Sequence, residues 1–264
     1  MTYKDKTVWI IGASSGIGKS LSIAMAKLNA NIVLSSRNIE ELEKVRVSCL
    51  QHTEKCSVIP LDLEKNADYN PVIKNVIEKF NTIDYLILNG GISQRSLAIE
   101  TPIDIDRLLM EINYFGYISI TKSVLPTMVK QKTGHIVVVS SIVGKFGFPL
   151  RSAYSASKHA LHGFYETLRV EQKQNGINVT MVIPGRVRTN ISYNAILKDG
   201  SRHNKMDDGQ AQGISAESCS EQIIKGIEKN KKEVFIGGKE LHMIWIKKFL
   251  PFLFYSFVNK NQPK

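Results

Sequence analysis

The chain has 264 residues, of which 43% are hydrophobic and 22% charged, and this composition excludes a collagen, a coiled coil or a disordered tail protein. A chain of this length buries roughly three quarters of the surface that it exposes when unfolded, so its core needs no disulfide or metal. The 35 Lys+Arg against 24 Asp+Glu give a net charge of +11, which suits nucleic acid, an acidic substrate or an anionic membrane. Because the basic residues are scattered and mostly lysine, we predict no nucleic-acid partner.

The three cysteines, Cys49, Cys56 and Cys219, follow no disulfide or ligand spacing. No pair of histidines stands at metal spacing either, so we predict no metal site and a reducing compartment. The first six residues lead directly into an apolar run, which leaves no room for a signal peptide or an N-terminal anchor. We therefore expect a cytoplasmic protein.

Short apolar runs alternate with longer helical patterns along the chain. The candidate strands are residues 8–11, 32–34, 58–61, 85–88, 136–139, 179–183 and 234–236. The helical patterns include residues 16–28, 39–51, 103–131 and 152–174. The runs are β-branched and continuously apolar, which is typical of strands covered on both faces, so the order predicts an α/β domain with a parallel sheet.

We predict one domain over residues 1–238, because no linker or repeat divides it. Two segments break the alternation. Residues 190–216 are polar and rich in glycine, and residues 239–264 form a basic, apolar tail.

A glycine-rich loop follows the first strand and opens the first helical pattern. Its residues are Gly12, Ser14, Ser15, Gly16, Ile17 and Gly18. Glycines permit a tight turn, a bare backbone lets a pyrophosphate approach, and the free N–H groups of the helix start bind it. The spacing is not that of the standard dinucleotide fingerprint. The alternative is a plain strand–helix turn in which Ser14 or Ser15 caps the helix.

The end of the second strand predicts the choice of cofactor. Ser36 stands where NAD-binding proteins carry a carboxylate for the ribose 2′-hydroxyl, and Arg37 follows it. A small serine leaves space for a 2′-phosphate and the guanidinium supplies a fixed positive fork, so we predict NADP, with NAD as the less favoured cofactor. The alternative for Arg37 is a solvated charge at a helix start.

A tyrosine and a lysine occupy one face of the helical pattern 152–174. Tyr154 and Lys158 are separated by one turn, and an ammonium near a phenol favours the phenolate, so we expect a lowered pKa for Tyr154. A phenol tuned in this way exchanges a proton with a carbonyl or an alcohol. The same spacing occurs in ordinary amphipathic helices. Ser141, at the end of the strand 136–139, can hydrogen-bond a substrate carbonyl.

Three further groups stand where ligands gather, at the carboxyl ends of parallel strands or beside them. Asn113 is a poor helix former inside the helical pattern 103–131 and could hold a water. Asn89, Gly90 and Gly91 end the fourth strand. The sixth strand closes with a loop, in which Thr189 could hydrogen-bond a carboxamide; its proposed contacts are Pro184, Gly185, Val187 and Thr189.

Taken in order, these residues resemble the short-chain dehydrogenase/reductase family over nearly the whole chain. The resemblance implies a Rossmann-type, doubly wound, seven-stranded parallel sheet with helices on both faces and a nicotinamide cofactor. It implies that Tyr154 is the acid/base and that Lys158 binds the nicotinamide ribose and tunes Tyr154. It also implies that Ser141 polarises the carbonyl and that Asn113 anchors a proton-relay water.

The resemblance adds Asp62 and Leu63, which would flank the adenine. Members that use NADP often carry a basic residue where this chain has Ser15, so Arg37 alone predicts the phosphate. Residues 134–161 are most similar to the branch that contains 11β-hydroxysteroid dehydrogenase and the membrane-associated DHRS7-type reductases.

We therefore predict an NADP-dependent oxidoreductase acting on a ketone or secondary alcohol. Val143 and Phe148 follow Ser141 and, with Tyr154, predict a hydrophobic substrate site for a lipid- or steroid-like molecule. Residues 190–216 fall where the family has its substrate lid. Arg95 could meet an acidic substrate, although a surface charge is the simpler interpretation.

Two other functions stay open. A reductase of 3-oxoacyl thioesters would dock its carrier protein on Lys130, Lys132 and Lys173. A non-catalytic NADP-binding sensor typically loses the tyrosine or the lysine, both of which are present here.

The resemblance also implies a homodimer or homotetramer that pairs through the helices around residues 103–131 and 152–174. The second helix offers apolar surface for this at Leu161, Phe164, Leu168 and Val170; the alternative is that all four face the sheet. Residues 241–258 are as long as a spanning helix, but two central lysines and Pro251 argue against spanning. We predict that this segment contacts an anionic membrane peripherally. The alternative is that it covers its own sheet edge or a partner subunit.

Overall fold

The computed structural model describes residues 3–64 and 68–260, over which strands and helices alternate as predicted. The strands are β1 (Thr7–Ile11), β2 (Asn31–Ser35), β3 (Cys56–Val58), β4 (Tyr85–Leu88), β5 (Gly134–Val139), β6 (Ile177–Pro184) and β7 (Glu233–Ile236). The α-helices are α1 (Gly16–Ala26), α2 (Ile39–Leu50), α3 (Asn70–Phe80), α4 (Ile103–Met110), α5 (Gly116–Gln131), α6 (Ser152–Glu171), α7 (Asp208–Ala211), α8 (Ala216–Glu228), α9 (His242–Phe249) and α10 (Pro251–Lys260). Short 3₁₀ turns lie at Ile142–Gly144, Lys173–Asn175 and Lys239–Leu241.

The seven strands of the described ranges form one parallel sheet in the order β3-β2-β1-β4-β5-β6-β7. The chain runs outward from β1 to β3 and then crosses to β4 on the other side of β1. This reversal opens a crevice at the carboxyl ends of β1 and β4, where ligands bind in sheets of this kind. The predicted doubly wound, seven-stranded sheet is confirmed.

Alternate strand residues enter two different cores. Val8 and Ile10 of β1 pack with apolar residues of α1, α2 and α8. Trp9 and Ile11 point to the opposite face and pack with residues of α3, α5 and α6. A sheet covered on both faces needs apolar residues at every position, which explains why the strand runs do not alternate with polar residues.

The predicted strand 58–61 is wrong in position, because β3 covers Cys56–Val58. β3 is the edge strand of the sheet, and Pro60 stands between two residues that face β2, so its missing N–H faces the open edge and costs no bond to β2. The residues on either side still bond to the β2 segment, with Ile59 N donating to Leu34 O at 3.0 Å and Leu61 N donating to Ser36 O at 3.2 Å.

The predicted helix 103–131 is interrupted. One turn of π-helix, Glu111–Phe115, separates α4 from α5 and contains Asn113. A π-turn leaves the backbone ladder out of register locally and is frequent at functional sites.

The proposed pairing face of α6 needs correction. Leu161 and Leu168 are buried against the sheet, and Phe164 is half-buried. Only Val170 of the four predicted residues is largely exposed, at 77%. The period of the helix turns most of this apolar stripe inward.

The tail folds into α9 and α10, which meet at Pro251. Phe254 and Val258 of α10 are buried in a third apolar cluster, at the start of α6. Among the described residues, no helix is both long and apolar enough to cross a membrane. The last four residues of the predicted tail lie outside the described residues.

Candidate active site

The glycine loop turns tightly between β1 and α1. Gly12 has a φ of 80°, and a Cβ there would lie 2.5 Å from the Cα of Gly90. A Cβ on Gly18 would collide with the carbonyl oxygen of Gly12. Ser15 is the residue before α1, and its side chain makes no capping hydrogen bond among the described residues. The Ser15 side chain therefore does not cap α1 and leaves the first N–H groups of this helix available to an anion.

A cleft of about 530 Å³ lies beside this loop. It gathers most of the predicted cofactor-binding residues: Gly12, Ser14, Ser15, Gly16, Ile17, Ser36, Arg37, Asp62, Leu63, Asn89, Gly90, Gly91 and Thr189. The other predicted cofactor-binding residues do not line it: Gly18, Tyr154, Lys158, Pro184, Gly185 and Val187. A long cleft with a bare backbone wall and a helix N-terminus fits a dinucleotide.

The loop after β4 is fixed by side-chain bonds to its backbone. Asn89 Nδ2 donates to Gly12 O at 3.1 Å, and the Tyr117 hydroxyl donates to Gly90 O at 2.6 Å. These bonds hold the ends of β1 and β4 together beneath the cleft.

Asn113 is fully buried and fixes the next residue of the same loop. Its Oδ1 accepts from Ile92 N at 2.9 Å, and its Nδ2 donates to Ile92 O at 2.9 Å and to Ser157 Oγ at 3.2 Å. The side chain therefore ties the π-turn to the loop after β4 and to α6. Its role as the anchor of a water stays a prediction.

Tyr154 is buried near the start of α6. Burial raises the pKa of the phenol, while a hydrogen bond from Ser141 and the charges of Arg151 and Arg95 oppose that rise. The expected lowering of this pKa is wrong for the chain's own groups, since loss of water outweighs the nearby positive charge. Tyr154 is consequently a protonated phenol at neutral pH and can donate its proton.

Lys158 is also buried, one turn along α6 from Tyr154. Its ammonium donates to Val139 O at 3.0 Å and lies 5.9 Å from the centre of the Tyr154 ring. Burial lowers the pKa of Lys158 to about 7. The helix brings the pair together as predicted, but the ammonium contacts the end of β5 instead of the phenol.

The loop after β6 connects the glycine loop with the tail. Thr189 lies close to Gly16, where a Cβ would come 3.0 Å from its methyl group. Glu240, from the tail, accepts from Arg186 N at 2.8 Å, and its side chain also packs against Gly185. Val187 is buried and pairs with Ile214 at the end of the predicted lid.

Three of the four predicted substrate residues meet at one apolar cluster, which contains Val143 and Tyr154 and has Phe148 packed against it. The tail contributes Phe254, whose ring centre lies 5.1 Å from that of Phe146, and Val258. This contribution is not predictable from the sequence. Phe254 and Val258 stand four residues apart, as on one helix face, but the surface that they contact belongs to a segment about a hundred residues away.

Arg95 is not a surface charge, since its side chain is 7% exposed. Its partners Arg151 and Asp207 were not singled out from the sequence. The three come from separate loops that only the fold brings together.

A polar cluster lies behind the site. His162 Nδ1 is 3.6 Å from Glu166 and 3.7 Å from Glu233, while its Nε2 hydrogen-bonds Ser140. Lys145 places its ammonium 2.5 Å from Glu233 and supplies a counter-charge within the chain. Burial, with Lys145 and other cations, lowers the pKa of His162 to about 3, so this ring is neutral.

The family model of the short chain dehydrogenases matches residues 6–199. Dehydrogenase/reductase SDR family member 7B of Rattus norvegicus is 39% identical over 268 residues, covering 99% of this chain and 82% of that protein. Dehydrogenase/reductase SDR family member 7 of Homo sapiens is 37% identical over 266 residues, covering 98% of this chain and 78% of that protein. These matches confirm the family and the DHRS7-type branch.

Two solved structures share the fold. A short-chain dehydrogenase/reductase from Burkholderia phymatum in complex with NAD has a TM-score of 0.84 at 18% identity, covering 96% of each chain. An alcohol dehydrogenase from Thermococcus sibiricus complexed with 5-hydroxy-NADP has a TM-score of 0.76 at 22% identity, covering 89% of this chain and 97% of that chain.

The chain belongs to the short-chain dehydrogenase/reductase family and is an oxidoreductase that uses a nicotinamide cofactor. The site residues are assigned by their positions in this chain, and their individual roles remain predictions.

Proposed function

We propose that this dehydrogenase/reductase transfers a hydride between NADP and a ketone or secondary alcohol of hydrophobic character. The observation that carries this proposal is the setting of Tyr154. Its phenol is buried, hydrogen-bonded by Ser141, and part of the apolar cluster that includes Val143 and Phe148. A proton donor surrounded by apolar side chains suits the reduction of a carbonyl that brings its own apolar surface.

Three residues of the chain have separate roles at the substrate carbonyl and its cofactor. The nicotinamide, when bound, supplies or accepts the hydride. Tyr154 gives its proton to the carbonyl oxygen, and Ser141 hydrogen-bonds the same oxygen and orients it. Lys158, whose pKa lies near 7, is the predicted partner of the nicotinamide ribose and stands within one helical turn of the phenol.

The preference for NADP is supported by the end of β2. Ser36 and Arg37 line the cleft, and within residues 3–64 and 68–260 the one ion pair of Arg37 is an exposed pair with Glu64 at 3.4 Å. Such pairs contribute about 0–1 kcal/mol, so the guanidinium can exchange this partner for a phosphate at little cost.

The tail and the surface of α6 support two further parts of the proposal. We propose that the exposed aromatic residues of α9 and α10 contact an anionic membrane from the cytoplasmic side. The homodimer or homotetramer through α5 and α6 stays a prediction, and Phe115 and Val170 are the exposed apolar residues that favour it.

The proposed reaction is tested by following the oxidation of NADPH with a panel of apolar ketones. Tyr154→Phe keeps the ring in the cluster and removes only the proton donor. We expect turnover to fall by at least about two orders of magnitude, the usual contribution of acid–base catalysis, with the Kd for NADPH unchanged. Tyr165→Phe is the control for loss of a buried hydroxyl. It removes the hydroxyl of another buried tyrosine of α6, which donates to the carbonyl oxygen of Tyr117 on α5. Full activity in Tyr154→Phe would overturn the assignment.

A further inference from the structure

Two arginines share one carboxylate beside the apolar cluster. Arg95 follows β4, Arg151 immediately precedes α6, and Asp207 belongs to the predicted lid. Arg95 is bonded to both carboxylate oxygens of Asp207, and Arg151 Nη2 donates to Oδ2 at 3.1 Å. The side chains of Arg95, Arg151 and Asp207 are 7%, 20% and 26% exposed.

The charges in this group do not balance. In the part of the chain that the structure describes, the two guanidiniums pair with a single carboxylate. His203, whose Nε2 lies 3.8 Å from Asp207, adds no negative charge. Burial and the neighbouring Arg95 lower the pKa of Arg151 to about 10, which leaves the guanidinium charged at neutral pH. A partly buried charge without a full counter-charge is unfavourable, and a second anion would relieve it.

The two arginines differ in how many donors they have left. The Nε and both terminal nitrogens of Arg95 are used, on Asp207, Ser93 Oγ and Gln94 O. Arg151 makes one good bond to Asp207 and a long one of 3.4 Å to Pro149 O. Arg95 therefore holds the lid, while Arg151 keeps donors for another acceptor.

Arg151 also lies close to the proposed chemistry. It precedes Tyr154 by three residues, and its charge acts on the phenol. Its guanidinium lies 5.4 Å from the centre of the Phe148 ring. Gln94 accepts from Ala153 N at 3.0 Å and so fixes the start of α6 beside both arginines.

We infer that Arg151, supported by the Arg95–Asp207 pair, binds an anionic group of the ketone substrate, either a carboxylate or a phosphate. The inference rests on the proposed reaction at Tyr154 and narrows its substrate class to ketones that join an apolar chain to an anionic end. The carbonyl sits at Tyr154, the apolar part packs on Phe148, and the anion meets the guanidinium, which suits planar and tetrahedral oxyanions.

The test compares three ketones of equal chain length: an oxo fatty acid, its methyl ester and an oxoalkyl phosphate. In the unmodified enzyme we expect at least one anionic ketone to have a KM roughly tenfold or more below that of the ester, and the better of the two identifies the anion. Arg151→Met should raise that KM by roughly ten- to a hundredfold and leave the KM of the ester, which carries no anion, nearly unchanged. Because the charge of Arg151 also acts on the Tyr154 phenol, any change in kcat should be the same for the ester and the anionic ketone. Arg107→Met, an exposed arginine of α4, is the matched control.

Two further measurements, the Tm and the binding of anions that cannot be reduced, distinguish failure of the anion site from failure of the proposed reaction. Arg151→Met leaves the Arg95–Asp207 pair balanced, so its Tm should be retained. Binding of decanoate and of decyl phosphate, which cannot be reduced, should weaken in this variant even if no ketone is turned over; that pattern would reject the proposed reaction and support the anion site. Equal KM values for the ester and both anions, or equal binding of the anions to both proteins, would overturn the inference.

Discussion

Arg37 is half-exposed and lines the cleft beside the glycine loop, and we predict that the choice between NADP and NAD depends on this side chain. Arg37→Gln removes a charge-assisted bond to a 2′-phosphate, a contribution of about 1.5–3 kcal/mol. We expect the Kd for NADPH to rise by roughly ten- to a hundredfold and the Kd for NADH to stay unchanged.

Glu64→Gln is the matched control for this prediction, because it frees Arg37 from its ion pair. It should leave NADPH binding unchanged or strengthen it slightly. Isothermal titration with both cofactors measures these effects, and comparable affinities of the unmodified enzyme for NADH and NADPH would contradict the NADP assignment.

Lys158 makes the stability of the protein depend on pH. Its pKa is about 7 in the folded chain against an ordinary value of about 10.4, so between these values the unfolded chain binds more protons. Stability from this group therefore rises with pH across that window and is lowest below pH 7. Relative to Lys158→Met, the unmodified protein should gain Tm as the pH rises from 6 to about 9.

Thermal unfolding of both proteins without added cofactor checks this expectation. Lys130→Met, which removes an exposed lysine of α5, should show no such trend. A Tm difference between the unmodified protein and Lys158→Met that does not change with pH would show that the ammonium is not destabilised by burial.

At this scale the sequence predicts which side chains meet but not their protonation. Tyr154 and Lys158 share a helix face, and Ser141 ends a neighbouring strand, so their meeting follows from the topology. The raised pKa of Tyr154 depends on burial by the segments packed around it, Phe254 of the tail among them, and that burial cannot be read from local spacing.

At the scale of the elements, hydrophobic runs predict where the strands lie but not where each regular element begins and ends. Regular β3 ends at Val58, although the apolar run and the bonds to the β2 segment continue to Leu61. The π-turn at Glu111–Phe115 has no signal in the hydrophobic periodicity either. Its Asn113 makes two hydrogen bonds to the backbone of Ile92, a contact that local spacing does not reveal. Both exceptions lie at the carboxyl end of the sheet, beside the cleft.

The helix α10 closes one side of the proposed substrate site. Phe254 is 1% exposed and packs on Phe146, whereas Phe252 on the same helix is 66% exposed. Loss of a buried phenylalanine costs about 3–5 kcal/mol, which is enough to detach a ten-residue helix. Phe254→Ala should raise the KM for apolar ketones severalfold and leave kcat nearly unchanged.

Phe252→Ala is the matched control on the same helix and should leave this KM unchanged. Limited proteolysis provides a second measurement, since the detached α10 should be cut faster in Phe254→Ala alone. If Phe254→Ala and Phe252→Ala behaved alike in both measurements, α10 would have no part in the site.

In the whole molecule, positive charge and exposed apolar side chains occur together in the tail and in the residues just before it. Residues 225–264 contain nine lysines and three glutamates, so +6 of the net charge of +11 lies there. The large apolar residues of the tail that are 44–66% exposed are Trp245, Phe249, Leu250, Phe252, Leu253, Tyr255 and Phe257. Phe254 packs on the protein itself, while most of the aromatic residues of the tail are exposed, so contact with a membrane stays a prediction.

This combination predicts binding to an anionic bilayer surface. The exposed rings contribute about 1.5–3 kcal/mol each when buried, and lysines near the surface about 1 kcal/mol each. Lys247 and Lys248 lie over the rings of Tyr255 and Phe249 at 4.5 and 5.4 Å, where long side chains can reach headgroups as the rings enter the interface. Vesicles containing phosphatidylserine should carry the protein upward in a flotation gradient at low salt.

Matched substitutions distinguish membrane binding through the tail from nonspecific adsorption of the protein to vesicles. The double variant Phe249→Ser, Phe252→Ser keeps Phe254 in place and should lose most of the flotation. Ile99→Ser, which removes a 94% exposed side chain far along the sequence from the tail, should float like the unmodified protein. Neutral phosphatidylcholine vesicles and high salt should both weaken binding, because the lysines then contribute little. A protein that stays in the soluble fraction with anionic vesicles at low salt would show that these rings cover another protein surface.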